Sequence, residues 1–208
     1  MHVMRHQQWQ DELRQWVHGY IDEHCIVRRP GGLPGKKPGT VYSWMFYLRR
    51  GLFNHRFNSA VAQLFWYKVD ERIGHGNFQL TGLETAAAPM LAAFPIIGNL
   101  YDYDVNAFIV RKERKEYGLQ NMIEGLPNNK PAMIIDDLCN SSTSMARCYK
   151  HLLFEKIEVF PFAFALVNKV NPGTHDPIRE KSDMYLPKSI EVLSLFNISE
   201  FRLYNPSH

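Results

Sequence analysis

Apolar residues recur at helical spacing in three parts of this chain. Apolar side chains three and four positions apart predict amphipathic helices over residues 7–25, 59–73 and 141–154. Residues 82–88 are mostly small and predict a turn that leads into a further helix. Residues 28–39 hold three prolines and four glycines and predict a loop. Helices therefore account for only part of the apolar pattern.

Short apolar runs between these segments predict strands. The runs comprise residues 41–48, 78–81, 105–110, 132–135, 157–167 and 190–196. Because the strands alternate with helices, the order predicts an α/β fold with a mostly parallel sheet and helices on both faces. Ligands of such sheets bind beyond the carboxyl ends of the strands, so we expect a site in the loops that start at Gly82, Arg111 and Asp136.

Composition narrows the expected partners and compartment. The 208 residues suit one domain with a small accessory piece. A net charge of +3 gives no reason to expect nucleic acid and fits an anionic small molecule. Residues 1–10 lack the apolar core of a signal peptide, and the apolar run 85–100 is shorter than the roughly 20 residues that span a bilayer. We therefore expect a soluble cytoplasmic protein without a membrane partner, whose three cysteines are inert reduced thiols.

Two adjacent carboxylates close the predicted strand 132–135. Asp136 and Asp137 repel each other, which favours a cation such as Mg²⁺ or the hydroxyl donors of a ribose. Small polar residues follow and open the predicted helix, whose N-terminus favours a phosphate. These residues are Asn140, Ser141, Ser142 and Thr143. The alternative is that the two aspartates only cap the helix, but the apolar strand before them and the hydroxyl cluster after them favour a ribose-phosphate site.

A basic run follows the predicted strand 105–110. Four of the five positions 111–115 are basic, namely Arg111, Lys112, Arg114 and Lys115. Taken alone, such a run is most often a solvated charged face. Because it lies one strand before the acidic pair, we favour its interpretation as a cluster of cations for a pyrophosphate.

Together these stretches resemble the loops of a known enzyme family. The apolar strand, acidic pair and hydroxyl-rich turn resemble the substrate-binding fingerprint of the type I phosphoribosyltransferases. The pattern Arg-Lys-Glu-x-Lys-x-x-Gly from Arg111 to Gly118 resembles the catalytic loop of the orotate phosphoribosyltransferases. Residues 81–89 resemble the pyrophosphate loop of the family. The resemblance implies the type I phosphoribosyltransferase fold, which is Rossmann-like and carries a small hood.

The resemblance also implies roles for individual residues. Lys115 would be the chief catalytic lysine, with Lys112 and Asp137 as further catalytic residues, and Mg²⁺ would lie near the two aspartates. The residues implied in binding phosphoribosyl pyrophosphate are Arg111, Lys112, Lys115, Asp136, Asp137, Asn140, Ser141, Ser142, Thr143 and Thr85. The residues implied in binding the base are Lys37, Phe46, Tyr47 and Lys169.

The resemblance divides the chain into two parts. Residues 1–34 would form an N-terminal helix and loop, and residues 35–208 the phosphoribosyltransferase domain. Residues 37–54 and 186–204 would build the hood over the base. In relatives the basic loop reaches across a dimer interface, so a homodimer is implied.

Departures from the family pattern leave two functions open. Asn140, Ser142, Tyr117 and Lys169 stand where the family commonly has Thr, Gly, His and Arg. The first hypothesis is an enzyme that transfers phosphoribose, with Mg²⁺, from phosphoribosyl pyrophosphate to a pyrimidine-type base, with orotate to orotidine monophosphate as the first candidate. The second is a catalytically weakened nucleotide- or phosphoribosyl pyrophosphate-binding module with a regulatory or defence role. The retained lysines and aspartates favour the enzyme.

Overall fold

The computed structural model describes residues 2–35, 38–74, 76–113, 121–140, 142–169 and 186–202. Three residues with expected roles, Lys37, Lys115 and Ser141, therefore lie outside the described segments, as does Tyr117, one of the departures from the family pattern. The helices of the described segments are α1 (His2–Tyr20), α2 (Arg49–Leu52), α3 (His55–Arg72), α4 (Ala88–Gly98) and α5 (Thr143–Phe154). The strands are β1 (Ile26–Pro34), β2 (Val41–Phe46), β3 (Gln79–Leu83), β4 (Ala107–Val110), β5 (Ile123–Glu124), β6 (Ala132–Cys139), β7 (Phe162–Asn168) and β8 (Glu191–Asn197). A π-helical turn spans Ile21–Cys25, and 3₁₀ turns span Asn99–Tyr101 and Ile198–Glu200.

The main sheet has six strands in the order β5-β4-β3-β6-β7-β8. Every neighbouring pair is parallel except β4 and β5, which pair antiparallel at one edge. The carboxyl ends of β3, β4 and β6 therefore meet at one edge of the sheet. This confirms the mostly parallel α/β fold that the alternation predicts.

Helices cover both faces of this sheet. Alternate residues of β6 face the two helical layers. Met133 and Ile135 pack into the cluster that includes α3 and α4, whereas Ile134 packs into the cluster that includes α5. All three residues are almost fully buried. The buried run of β6 thus follows from its central place between two helical layers.

A small antiparallel hairpin of β1 and β2 stands beside the main sheet. The loop predicted over residues 28–39 is wrong for its first part, since β1 extends to Pro34. Gly31 and Gly32 adopt φ values of 82° and 83°, where the pairing register shifts between Arg28 and Leu33. Glycine at a bulge tolerates this backbone, so the glycines that suggested a loop lie inside a strand. The hairpin also crosses the boundary expected between residues 34 and 35.

Several elements begin or end elsewhere than their apolar patterns predict: the strand predicted over residues 157–167 begins only at Phe162, the helix predicted over residues 7–25 begins at His2, and the strand predicted over residues 41–48 ends at Phe46. Helix α3 and strand β6 show the physical reasons. Helix α3 begins at His55 instead of residue 59, because the Asn54 side chain accepts hydrogen bonds from the backbone N–H groups of Arg56 and Phe57 at 3.1 Å. Strand β6 continues past Ile135 to Cys139. Its pairing with β3 stops at Ile134, but its pairing with β7 continues to Cys139.

Strand β8 belongs to the main sheet, where it pairs in parallel with β7. This differs from the expectation that residues 186–204 build the hood. Only the end of the segment turns towards the hairpin, since the rings of Phe201 and Phe46 lie 5.2 Å apart. Among the described helices, none has the length together with the apolarity that a bilayer-spanning helix needs.

Candidate active site

The acidic pair lies inside β6 near its carboxyl end. Asp136 is 8% exposed, and its Oδ1 accepts a hydrogen bond from the backbone N–H of Asp137 at 2.9 Å. Burial, with the neighbouring charge of Asp137, raises the pKa of Asp136 well above its usual value. Burial likewise raises the pKa of Asp137, and the charge of Arg49 opposes that rise. The pair therefore lacks the solvent that would normally stabilise two charges and favours a cation or hydroxyl donors.

The turn after β6 carries a strained serine. Ser142 has φ 52° and ψ 11°, the left-handed region that glycine adopts most easily, and it precedes the first turn of α5. Its hydroxyl accepts a weak hydrogen bond from the backbone N–H of Leu186 at 3.5 Å. Asn140 and Thr143 are exposed on either side of it. The backbone thus adopts the geometry for which the family commonly uses glycine, but with a side chain present.

The basic run begins in a network of side chains. The Arg111 guanidinium lies 3.2 Å from the Glu124 carboxylate and 3.8 Å from that of Glu84. The backbone N–H of Lys112 donates to Glu84 Oε1 at 3.1 Å, and its carbonyl accepts from the Arg147 guanidinium. Side chains from the loop after β3 and from α5 therefore hold the backbone N–H and C=O groups of Lys112.

The positive charge of Lys112 affects the pKa of Asp136, one of the two carboxyls of the acidic pair. It lowers the pKa of Asp136 and so opposes the rise that burial causes. The side chain of Lys112 itself is exposed. The structure thus brings a cation from the loop after β4 close to a carboxylate of β6, as the sheet order predicts.

The loop after β3 approaches β6 closely. A Cβ atom on Gly82 would lie 2.5 Å from the carbonyl oxygen of Ile135 and 2.4 Å from the Cβ of Ala87. Only glycine fits there, because both neighbours belong to packed backbone elements. The peptide bond between Glu84 and Thr85 is cis, and Thr85 is exposed at the same edge of the sheet.

Lys169 follows β7 and lies against the hairpin. Its Nζ is 5.2 Å from the centroid of the Trp44 ring and 5.7 Å from that of Phe46, and its backbone N–H donates to the Cys139 carbonyl at 2.7 Å. Burial lowers the pKa of this lysine. Lys169 therefore joins the hairpin to the end of the strand that carries the acidic pair.

The two expected aromatic residues have different surroundings. Phe46 is only 7% exposed and packs against Phe201 and Trp44, so its ring belongs to the core and faces no open cleft. Tyr47 is 43% exposed, and the guanidinium groups of Arg49 and Arg50 lie 5.2 Å and 5.5 Å from its ring centroid. Of the two, only Tyr47 presents a ring to solvent.

Curated relatives similar in sequence are orotate phosphoribosyltransferases. That of Thermosynechococcus vestitus is 28% identical over 127 residues, a match that covers 60% of this chain and 62% of the relative. That of Aquifex aeolicus is 28% identical over 120 residues, covering 57% of this chain and 61% of the relative. The matches to these two relatives thus span about three fifths of the relatives' length. No protein-family model matches the chain.

Solved structures extend the likeness to most of the chain. A phosphoribosyltransferase from Corynebacterium diphtheriae aligns with a TM-score of 0.66 at 18% identity, covering 91% of this chain and 98% of the other. Orotate phosphoribosyltransferase of Mycobacterium tuberculosis, in complex with Fe(III) dicitrate, aligns with a TM-score of 0.67 at 16% identity, covering 90% and 98%. This chain has the type I phosphoribosyltransferase fold. The fold that the resemblance implies is thereby confirmed.

Within the phosphoribosyltransferase fold, the described residues with expected roles fall into two groups. Lys112, Asp136 and Asp137 come together at the carboxyl edge, with Thr85, Asn140 and Thr143 exposed along the same edge. Lys169 and Tyr47 lie towards the hairpin.

Three side chains of the phosphoribosyltransferase fold were not predicted from the sequence. Glu84 and Arg147 form hydrogen bonds with the backbone of Lys112. The positive charge of Arg49 lowers the pKa of Asp137 and opposes the effect of burial. The adjacent arginines at positions 49 and 50, directly after a strand, were a visible signal for Arg49. Arg147 has no such signal, because an exposed arginine on a helix is usually only a solvated residue.

Proposed function

We propose that this chain is a phosphoribosyltransferase that transfers phosphoribose from phosphoribosyl pyrophosphate to a nitrogenous base, with orotate as the first candidate. The observation that carries the proposal is the proximity of the Lys112 charge to the buried Asp136, which neighbours Asp137, at the carboxyl edge of the sheet. The similarity to orotate phosphoribosyltransferases in sequence and fold supports the same reaction. A solved structure of the Mycobacterium tuberculosis enzyme with phosphoribosyl pyrophosphate, at a TM-score of 0.56, supports this substrate.

Each part of the substrate has a matching set of donors or acceptors at the carboxyl edge of the sheet. In the proposed complex, the ribose hydroxyls donate to the carboxyl oxygens of Asp136 and Asp137. The 5-phosphate lies at the N-terminus of α5, where backbone N–H groups and the hydroxyls of Ser142 and Thr143 are available as donors. The pyrophosphate lies between the loop after β3 and the basic run.

Mg²⁺ suits the acidic pair. Burial raises the pKa values of both carboxyls, and the charge of Asp137 raises that of Asp136 further, so a divalent cation stabilises their charged forms. Carboxylate oxygens are also ligands that Mg²⁺ prefers. Asp136 and Asp137 would hold the ion together with substrate oxygens. Within the described part of the chain, no group of three or more His, Cys, Asp or Glu residues could by itself hold a metal ion. When bound, Mg²⁺ supplies positive charge to the pyrophosphate and the ribose hydroxyls.

The reaction breaks the bond between ribose C1 and the pyrophosphate oxygen while a ring nitrogen of the base bonds to C1. Positive charge develops on the ribose, and negative charge collects on the leaving pyrophosphate. Lys112, with Lys115 further along the same loop, would neutralise the leaving group. Asp137 would hold the ribose by its hydroxyls so that C1 faces the base.

The base is proposed to lie between β7 and the hairpin. Lys169 offers a positive charge there, which suits the carboxylate of orotate, although a lysine lacks the two-pronged geometry of arginine. Tyr47 offers an exposed ring for stacking. A homodimer, in which the loop of one subunit completes the site of the other, is part of the same proposal.

A binding module without catalysis is the second candidate, and Arg111 favours it. This arginine already lies between the carboxylates of Glu84 and Glu124, so it brings little surplus charge to a pyrophosphate. The strained Ser142 adds a side chain where the phosphate approaches. Such a module would bind phosphoribosyl pyrophosphate or a nucleotide without turning it over.

Pyrophosphate release separates the two candidates. The protein is incubated with Mg²⁺, phosphoribosyl pyrophosphate and each of a panel of pyrimidine and purine bases, with a parallel series in a metal chelator. We expect base-dependent release, strongest with orotate and abolished by the chelator. Calorimetry with phosphoribosyl pyrophosphate alone completes the test. Tight binding without release for any base would reject the enzyme in favour of the binding module.

A further inference from the structure

Glu84 joins the ends of two neighbouring strands. Its backbone N–H donates to the Val110 carbonyl at 2.9 Å, which fixes its main chain against β4. One carboxylate oxygen accepts the backbone N–H of Lys112 at 3.1 Å, and the other lies 3.8 Å from the Arg111 guanidinium. Glu84 thus holds the first two residues of the basic run from the loop after β3.

Arg147 holds the same lysine from the opposite side. Its guanidinium, on the second turn of α5, donates to the Lys112 carbonyl. Hydrogen bonds that involve a charged group are about twice as strong as neutral ones. The N–H and C=O groups of one residue are therefore bound by charged side chains from two other elements.

We propose that Glu84 and Arg147 are positioning residues that orient Lys112 towards the acidic pair, and that they thereby set the rate of phosphoribosyl transfer. The inference rests on the proposed function. Neither residue touches the substrate in this account, since both act through the backbone of Lys112. We name the three residues Glu84, Lys112 and Arg147 the brace.

The brace ties together the three loops on which the reaction depends. Glu84 comes from the loop after β3, Lys112 from the loop after β4, and Arg147 from the helix that follows the phosphate turn. A shift of about 1 Å in a reacting group can lower a rate about 100-fold, so the fixed backbone of an exposed lysine has a large effect. The alternative is that these exposed polar contacts stabilise the fold slightly and have no effect on the rate.

Two pairs of variants test the brace by rate. Glu84→Ala removes both the acceptor and the charge, whereas Glu84→Gln keeps an oxygen that can accept the Lys112 N–H. Arg147→Met removes the donor, whereas Arg147→Lys keeps a shorter one. We expect kcat to fall about 10-fold in Glu84→Ala and Arg147→Met, with KM for phosphoribosyl pyrophosphate changed less, and to stay within about threefold in Glu84→Gln. Lys150→Met, on the same helix and exposed, is the matched control and should keep the wild-type rate.

A double-variant series shows whether the residues act through Lys112. In a Lys112→Ala background, Glu84→Ala and Arg147→Met should lower kcat by less than about twofold further, because coupled residues are not additive. Full 10-fold losses in that background would overturn the proposal. So would wild-type rates in the two single variants.

Hydrogen exchange makes the test independent of turnover. If the wild type releases no pyrophosphate with any base, the proposed function fails, but the Lys112 amide can still be followed by exchange in the unliganded protein. The brace predicts slow exchange at that amide in the wild type and at least about 10-fold faster exchange in Glu84→Ala and Arg147→Met, with Lys150→Met unchanged. Equal exchange rates in all four proteins would overturn the brace whatever the activity.

Discussion

Ser142 combines a glycine-like backbone with a serine side chain. Its φ of 52° costs an ordinary residue about 1 kcal/mol, and its side chain crowds the turn where the phosphate is proposed to bind. Ser142 stands where the family commonly has glycine, and its backbone has the left-handed conformation that glycine adopts without strain. The departure from the family pattern therefore has a definite physical cost at this residue.

Replacing Ser142 by glycine tests that cost. We expect Ser142→Gly to bind phosphoribosyl pyrophosphate a few-fold more tightly in calorimetry, because the phosphate can approach the backbone more closely. Its free energy of unfolding should change by less than about 1 kcal/mol, since relief of strain is offset by the freedom of glycine in the unfolded chain. Ser144→Gly, two residues further within α5, is the control and should only lower stability, by about 0.5–1 kcal/mol. Weaker binding in Ser142→Gly would contradict the account.

Lys169 is a charge kept half-buried against aromatic rings. Burial lowers its pKa below the usual 10.5, so the folded protein holds fewer protons than the unfolded chain just below that pH. Stability attributable to this group should therefore rise with pH through that window. Burying a charge usually costs stability, so we infer that Lys169 is kept at this position for ligand binding.

Lys169→Met keeps most of the unbranched side chain, which is one heavy atom shorter, and removes the charge. We expect its free energy of unfolding at pH 7 to equal or exceed that of the wild type, and its rise towards pH 10.5 to be smaller. Affinity for orotate should fall at least about 10-fold if the lysine pairs with the carboxylate. Lys150→Met removes a charge at an exposed site and should leave orotate affinity unchanged. Wild-type orotate affinity in Lys169→Met would remove this lysine from the base site.

The close approach of the loop after β3 to β6 shapes the site at the level of elements. Gly82 allows this contact because its missing side chain leaves room for the Ile135 carbonyl and Ala87. The approach holds Glu84 and Thr85 at the edge where Asp136 emerges. The geometry of the proposed pyrophosphate loop thus depends on the absence of a Cβ atom at position 82.

Gly82→Ala should lower the free energy of unfolding by about 1–3 kcal/mol, because the added methyl group would overlap atoms that cannot move away. Urea denaturation at constant m-value measures the change. Gly19→Ala is the control within α1, where no atom lies within 4 Å of the added methyl group. It should raise stability by about 0.5–1 kcal/mol. A neutral Gly82→Ala would show that the loop has more room than the structure indicates.

The sequence predicted the central elements well because their apolar runs are buried on both faces. The patterns at 132–135 and 105–110 locate β6 and β4, and their order brings Lys112 and Asp136 together. It missed β1, since glycines at a bulge resemble a loop. It also ended β6 too early, because a strand end is decided by pairing with β7, which the chain does not show locally.

At the scale of the whole molecule, two helical layers enclose one mostly parallel sheet, and the proposed site occupies the edge where its strands end. The alternation of strands and helices is enough to predict that architecture. The place of β8 in the main sheet could not be predicted, because the hood and the sheet edge both suit a short alternating strand. The hydrogen bonds of Glu84 and Arg147 with the backbone of Lys112 likewise could not be predicted, because they depend on the tertiary packing of segments that are distant in sequence.

The central claim is that the acidic edge carries out phosphoribosyl transfer. The most direct measurement is the mass-spectrometric detection of the nucleoside 5′-monophosphate formed from phosphoribosyl pyrophosphate, Mg²⁺ and orotate. The account predicts orotidine monophosphate from the wild type, at least about 100-fold less from Asp137→Asn, and an unchanged amount from the exposed control Glu158→Gln. A wild type that forms no nucleotide with orotate or any other base, or an Asp137→Asn variant as active as the wild type, would contradict it.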